Sequence, residues 1–320
     1  MGNMEKKRLI ISHGDGDGIC ACAIAYKALD ENAVVVFSQP FDLHFMLGNL
    51  LYSGKIHEFH EMYIIDLACS EKTKKFLEEI ETKTKCSICF IDHHKISLSI
   101  KGRYRGIINT EFSASTLTAH YFNMLTHLSK IGSASDKITM LSKLDDFYEE
   151  VELLRKAIAI NGNDDKFRFE IMKELASGKR PSEIKQLVEK AITCEEERGR
   201  YMKDVLSKIV YKDDYIMIIN ANGMDIRGHA GSIASSIAIK ENKMVFLIYG
   251  MKKTVITGRS HHKIKVDVGE FMRKYFKGGG HKNAGSALIQ GDVDKIIIKI
   301  PEWFKRELSL YNIKEVGVND

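Results

Sequence analysis

Residues 13 to 18 read HGDGDG, a histidine and two aspartates set apart by single glycines directly after the apolar run RLIIS. In an extended segment, alternate residues point to the same side, so Asp15 and Asp17 would lie together and repel unless a cation held them. Two more clusters follow apolar runs in the same manner: Asp66 after MYII, and Asp92, His93 and His94 after CSICFI. Singly, each has a plain structural explanation. A lone aspartate at a strand's end usually caps a helix or closes a turn, and adjacent histidines are common on surfaces. Recurrence at three successive strand-like ends points instead to one shared site. Carboxylates so crowded either keep protons or surround cations, and carboxylate with imidazole suits Mn²⁺, Fe²⁺ or Zn²⁺ better than Ca²⁺. Two ions about 3.5–4 Å apart would let one aspartate bridge them, with Asp15 and Asp17 each facing a different ion.

A second set lies late in the chain. FKGGGHKNAG at 276–285 places Gly278, Gly279 and Gly280 before His281. Glycines permit a turn whose N–H groups face an anion, and a helix starting after it would add its dipole. Alone, such a run fits any flexible turn. Arg259, in GRS at 258–260, offers a planar fork suited to phosphate. RGHAGSIASS at 227–236 is expected to line the same cleft, while His261 and His262 read as exposed loop residues. STLTAH at 115–120 reads as helix core and cap, not as a substrate contact for Ser113 or Ser115.

The elements that must position these residues follow from periodicity. KRLIIS, AVVVF, MYIID and CSICFID are β-branched runs separated by helix-like segments at 19–30, around 41–52 and at 71–80. Strands alternating with helices predict a parallel sheet with right-handed crossovers, whose carboxyl edge would collect all three acidic clusters. Residues 113 to 210 read as helices, with a Ser cap before STLTAH and Pro181 and Ser182 at a helix start. Strand pattern returns in YIMIIN, KMVFLIYG and TVITGRS. The fold class is therefore α/β, an N-terminal parallel-sheet domain over 1–180, a helical linker over 181–211 and a smaller C-terminal α/β domain over 212–312, with a polar tail beyond.

Composition narrows the class without choosing within it. Of 320 residues, 44% are hydrophobic and 28% charged, as in ordinary globular chains. No run is long and apolar enough to span a membrane, and the start lacks a signal-peptide apolar region, so a cytoplasmic location is expected. A net charge of +5 suits an anionic substrate but does not require nucleic acid. Cys20 and Cys22, and Cys86 and Cys89, have metal-like spacings but fall in apolar runs, where thiols behave as small hydrophobes.

SHGDGDG, IIDL and IDHH resemble the first three motifs of the DHH phosphoesterase superfamily, and GRS with GGGHKNAGSA resembles its DHH-associated C-terminal domain. The resemblance covers nearly the whole chain. It implies one metal held by His13, Asp15 and Asp66, and another held by Asp17, the bridging Asp66, His93 and a fourth-motif aspartate. LSKLDDFYEE offers Asp146, with Asp145 as the alternative. His94 would face the scissile phosphate, Asp92 would support the histidines, and the glycine loop, His281 and Arg259 would grip phosphate and sugar. The implied activity is phosphodiester hydrolysis with two Mn²⁺ ions, Mg²⁺ or Co²⁺ being substitutes. Its expected substrates are short single-stranded RNA or DNA, linear dinucleotides or 3′-phosphoadenosine 5′-phosphate, entering between the domains of a possible homodimer. A RecJ-type single-strand exonuclease ranks second, since no basic and aromatic stripe stands out in the sequence. Pyrophosphatase and a non-catalytic nucleotide-binding regulator rank lower.

Overall fold

A computed structural model of the chain describes residues 7–136, 139, 141–161 and 164–316. They fall into two compact units, Met1–Ile192 and Thr193–Asp320.

The first unit is built on five strands: β1 (Lys7–His13), β2 (Val34–Ser38), β3 (Phe59–Ile65), β4 (Ser87–Asp92) and β5 (Arg105–Ile108). They pair in the order β2-β1-β3-β4-β5, every neighbour parallel. Each crossover therefore needs a covering segment: α1 (Gly16–Ala28), α2 (Leu43–Tyr52), α3 (Glu71–Lys83) and a 3₁₀ turn at Lys95–Ile100. The strand order reverses between β1 and β3, and open parallel sheets bind ligands outside the carboxyl ends at such a reversal.

Beyond β5 come α4 (Ala114–Tyr121), α5 (Leu128–Ser135), α6 (Tyr148–Ile160), α7 (Asp165–Ala176) and the long α8 (Lys185–Leu206). One face of the sheet is covered by a core that includes Ile19, Ile24, Leu117, Ile131, Leu154 and Ile171. The other, including Leu43, Leu47, Leu77 and Ile80, is closed by α2 and α3. Nearly every residue of α1 is buried, as expected for a helix that is apolar all round. All six cysteines are buried and none is in a disulfide, so the metal-like spacings are core packing.

In the second unit, β6 (Ile209–Lys212), β7 (Ile216–Asn222), α9 (Ala230–Glu241), β8 (Met244–Gly250), β9 (Val255–Ser260), α10 (Val268–Phe276), β10 (Gly279–His281), β11 (Ala284–Leu288) and α11 (Val293–Val316) follow in order. The sheet order is β10-β11-β9-β8-β7-β6, and only the β7–β8 pair is parallel. It packs its own two cores, one around Phe246 and Phe271, the other around Ile219 and Ile233. Both halves are thus α/β.

Two expectations change. The acidic loop is not extended through Asp17, because helix geometry begins at Gly16. Residues 313–316 of the expected polar tail continue α11, and 317–320 lie outside the described residues. The division between units falls at Ile192, inside the helix expected to act as linker. Among the described residues no helix is long and apolar enough to cross a membrane.

Candidate metal centre

Register brings the clusters together. Across the carboxyl edge His13 pairs with Ser38, Ser12 with Ile65, and Ile65 with Ile91, so His13, Asp66 and Asp92 end neighbouring strands. Three groups of potential ligands then converge: His13, Asp15 and Asp66; Asp17, His93 and Asp136; and Asp66, His93 and His94.

Asp66 belongs to two of these groups, as His93 does, and joins His13 to His93. Its φ of +58° lies in the left-handed region, which costs a non-glycine residue energy and persists where surrounding structure enforces it. Its backbone N–H donates to Ile91 O at 3.0 Å, tying the turn to β4. The carboxylate, 1% exposed, then lies 3.7 Å from His13 Nδ1 through Oδ2 and 3.1 Å from His93 Nε2 through Oδ1. Both Asp66 oxygens and His93 Nε2 are buried without a hydrogen-bond partner. Lone pairs left in that condition fit a cation, and the carboxylate and imidazole donor set fits a divalent one.

Asp15 and Asp17 are separated by the start of α1. Asp15 is its N-cap, accepting from Gly18 N–H at 3.0 Å, with its other oxygen 3.0 Å from His13 Nδ1. Asp17, in the first turn, is fully buried and accepts from Ala114 N–H at 2.7 Å and Ser115 N–H at 3.1 Å. Those donors are the free amides at the start of α4, which Ser113 also caps through Thr116 N–H. Gly132 of α5 allows this approach, since a Cβ there would stand 2.6 Å from Asp17 Oδ1.

The protein's own groups leave this cluster short of positive charge. Burial and the neighbouring Asp66 push Asp17 up to about 8. Burial, with Asp15 and Asp66, likewise raises Asp136 to about 6. Burial opposes ionisation of His13, but Asp15 and Asp66 outweigh it and carry its pKa to about 11; His93 rises to about 9 against the same opposition, through Asp66. Without cations the site must therefore hold protons.

The structure does not bring Asp145 or Asp146 into these groups. Both are exposed in the turn before α6, where Asp145 accepts from Ser142 N–H. Asp136, the C-cap of α5, stands in the expected place, its Oδ2 3.4 Å from His93 Nε2. The weak sequence signal was there: SASD ends a helix, as LSKLDD was expected to do.

Around the ligands is a supporting layer that the motifs did not reveal. His94 Nδ1 donates to Asp92 Oδ1 at 2.8 Å, leaving its other nitrogen to the half-exposed side of the ring. Asp92 is buried and accepts from Ser97 Oγ, which itself accepts from Cys69 N–H at 3.0 Å. His13 Nε2 lies 3.3 Å from Gln39 Oε1, so Nδ1 is the nitrogen turned to the acids. Buried Arg168 donates through Nε to Gly14 O at 2.9 Å and steadies the HGDGDG loop from α7.

In the second unit, Gly279–His281 is a short strand hydrogen-bonded to β11, and no helix starts after it, so the expected helix dipole is absent there. β11 pairs Ala284 with Arg259, which brings the glycine run and the arginine onto one sheet. Arg259 is half-buried, its Nη1 donating to Gly258 O and Thr257 Oγ1 at 2.8 and 2.9 Å. Gly231, in the first turn of α9, lets the guanidinium approach, as a Cβ would meet Nη2 at 2.7 Å. His281 and His262 are exposed, but His261 is buried and accepts from Lys263 N–H, contrary to the expected open loop.

The sequence matches no family model and no curated protein. Solved structures with a similar fold include the pGpG-specific phosphodiesterase PggH of Vibrio cholerae, at 14% identity and a TM-score of 0.61, covering 94% of this chain and all of that one. RecJ of Thermus thermophilus in complex with Mn²⁺ aligns at 16% identity and 0.57, over 97% of this chain and 52% of RecJ. The DHH domain of a member of the s1p family of ribosomal proteins aligns at 16% and 0.63, over 95% and 86%. At such identities the likeness carries the fold.

Proposed function

Because the chain has the fold of the DHH phosphoesterases, we propose that it is a two-metal phosphodiesterase acting on short oligonucleotides or linear dinucleotides. The observation that carries this reading is the sharing of Asp66 between the His13–Asp15 group and the His93 group, with one oxygen toward each histidine. His13, Asp15 and Asp66 would hold one ion, and Asp17, His93, Asp136 and Asp66 the other. A bound pair of Mn²⁺ ions would supply a water acidic enough to attack at neutral pH and charge to match the phosphoryl oxygens.

The chain's own residues do the positioning. The amides of α4 and the strain at Asp66 fix the carboxylates before substrate arrives. Asp92, held by Ser97, fixes the His94 ring with one nitrogen available to a phosphoryl oxygen. Arg259 is the group of the second unit suited to bind a substrate phosphate, with the Gly278–Gly280 run and His281 beside it on the same sheet. Support for a short substrate comes from PggH, named for a linear dinucleotide and matched over its full length, while two RecJ structures are matched over 52% and 90% of theirs.

The test is a hydrolysis panel with Mn²⁺, comparing pGpG and other dinucleotides, labelled oligomers of increasing length, 3′-phosphoadenosine 5′-phosphate and pyrophosphate. Turnover greatest on the shortest diesters is expected. Turnover that rises with strand length favours an exonuclease of the RecJ type, and hydrolysis of none of them overturns the reading.

A further inference from the structure

Helix α2 carries an exposed aromatic face beside the metal centre. Phe45 and Tyr52 are 63% and 69% exposed, two turns apart on one side of the helix, although the rest of α2 buries Leu43, Leu47 and Leu51 in the core. Beneath them runs a trough. A hollow of about 230 Å³ at the carboxyl end of β2 is lined by Gln39, Asp42, Met46 and Arg168, and a shallower one of about 640 Å³ continues past Phe45 and Tyr52 to Lys55. Asp42 and Met46 line both, so the two lie side by side along α2. The inner end borders the candidate centre through Gln39, whose Oε1 lies 3.3 Å from His13 Nε2, and Arg168, which donates to Gly14 O.

We propose that this trough is a base-binding shelf of the hydrolytic site, taking the nucleobases of a single-stranded oligonucleotide whose phosphodiester lies at the ligand cluster. The inference rests on the phosphodiesterase function proposed above. Charge favours bases over backbone: Asp42 and Asp165 stand at the inner hollow with Arg168, whose Nη1 is already 2.9 Å from Asp165, and a phosphate would meet net repulsion there. Those same groups suit base edges. The Gln39 amide both donates and accepts, and the Asp42 carboxylate, which makes no capping bond to α2, accepts from exocyclic amino groups. Phe45 and Tyr52 present ring faces on which any base can stack, and Lys55 offers a cation to a phosphate at the outer end. An apolar protein segment would gain from the rings but would leave the inner carboxylates without partners.

The test uses oligoribonucleotides carrying 2-aminopurine, a dinucleotide and a pentanucleotide, titrated in metal-chelating buffer so that binding is read without hydrolysis. Quenching by the wild-type chain is expected, with Phe45→Ala and Tyr52→Ala each weakening the pentanucleotide roughly 10-fold and Tyr52→Ala sparing the dinucleotide. Both positions are exposed, and circular dichroism of the variants checks the fold. Equal quenching by wild type and variants, or none by wild type, overturns the shelf even where hydrolysis is intact. A concentration-dependent dimer lost in Tyr52→Ala would identify the face as a protein interface and also overturn it. Variant-sensitive quenching in a chain that hydrolyses no phosphodiester would leave the shelf standing and remove the proposed function instead.

Discussion

Asp66 does more at this site than any other single residue, and its backbone says so before its side chain does. A left-handed φ of +58° is tolerated by asparagine more readily than by alanine, so Asp66→Asn keeps the turn while removing a ligand oxygen and the charge. We expect that variant to melt like wild type without metal and to lose at least roughly 100-fold in Mn²⁺ affinity, measured by titration calorimetry. Asp136→Asn should also lose Mn²⁺ affinity, and neither Asp145→Asn nor Asp146→Asn should. The opposite ranking would return the fourth ligand to the exposed turn. The cluster also sets a pH dependence in the metal-free chain. Asp17 at about 8 and His93 at about 9 keep protons that the unfolded chain gives up near 3.8 and 6.5. Folding therefore takes up protons across that window, and stability falls as pH rises through it. Chelated protein should melt higher at about pH 5 than at about pH 8, with Mn²⁺ reducing the difference. A melting temperature that climbs over that interval would contradict the arrangement.

Elements matter here through their ends. β1, β3 and β4 bring ligands to one edge by ending there, while α1 and α4 contribute their starts: Asp15 caps α1, and α4 spends its first amides on Asp17. The arrangement depends on α5 passing close to Asp17, and Gly132 is where it passes. In Gly132→Ala the new methyl would stand 2.3 Å from Ser115 Oγ and 2.6 Å from Asp17 Oδ1. Overpacking of this kind costs about 1–3 kcal/mol, and here it would also displace a candidate ligand. Thermal denaturation should show the loss of stability, and Mn²⁺ titration a weakened site. Unchanged metal affinity in a destabilised variant would mean that Asp17 tolerates the shift.

At the scale of the molecule, two units with separate cores need not unfold together. All the candidate ligands belong to the first. If Mn²⁺ binds that unit's native state alone, it adds about 2.7 kcal/mol when the ion is at 100 times its dissociation constant. Calorimetry should resolve a transition that moves upward with Mn²⁺ and another that stays. If both move equally, or neither does, the metal is not confined to the N-terminal sheet.

Much of this was legible along the chain. Short, nearly continuous apolar runs such as RLIIS and CSICFID, interrupted by helical stretches, are a local property, and parallel pairing follows because strands so connected have few other ways to cover both faces. His13, Asp66 and His93 could be named because each closes an apolar run, where chain direction alone carries it to the ligand-binding edge. Asp136 could not be separated from Asp145 and Asp146 in that way. All three lie in or after helical segments of similar polarity, and which one meets His93 depends on how α5 packs against α1 and α4. Gln39 and Arg168 were invisible for the same reason, since each acts on a partner distant in sequence, and Ser97 meets the nearby Asp92 through the 3₁₀ turn at Lys95–Ile100. The run at Gly278–Gly280 read as a loop because glycine disfavours strands, and only pairing with β11, itself held by β9, makes it one. Spacing along the backbone sets which groups are offered; the distances between them are set by packing, which no short stretch of sequence contains.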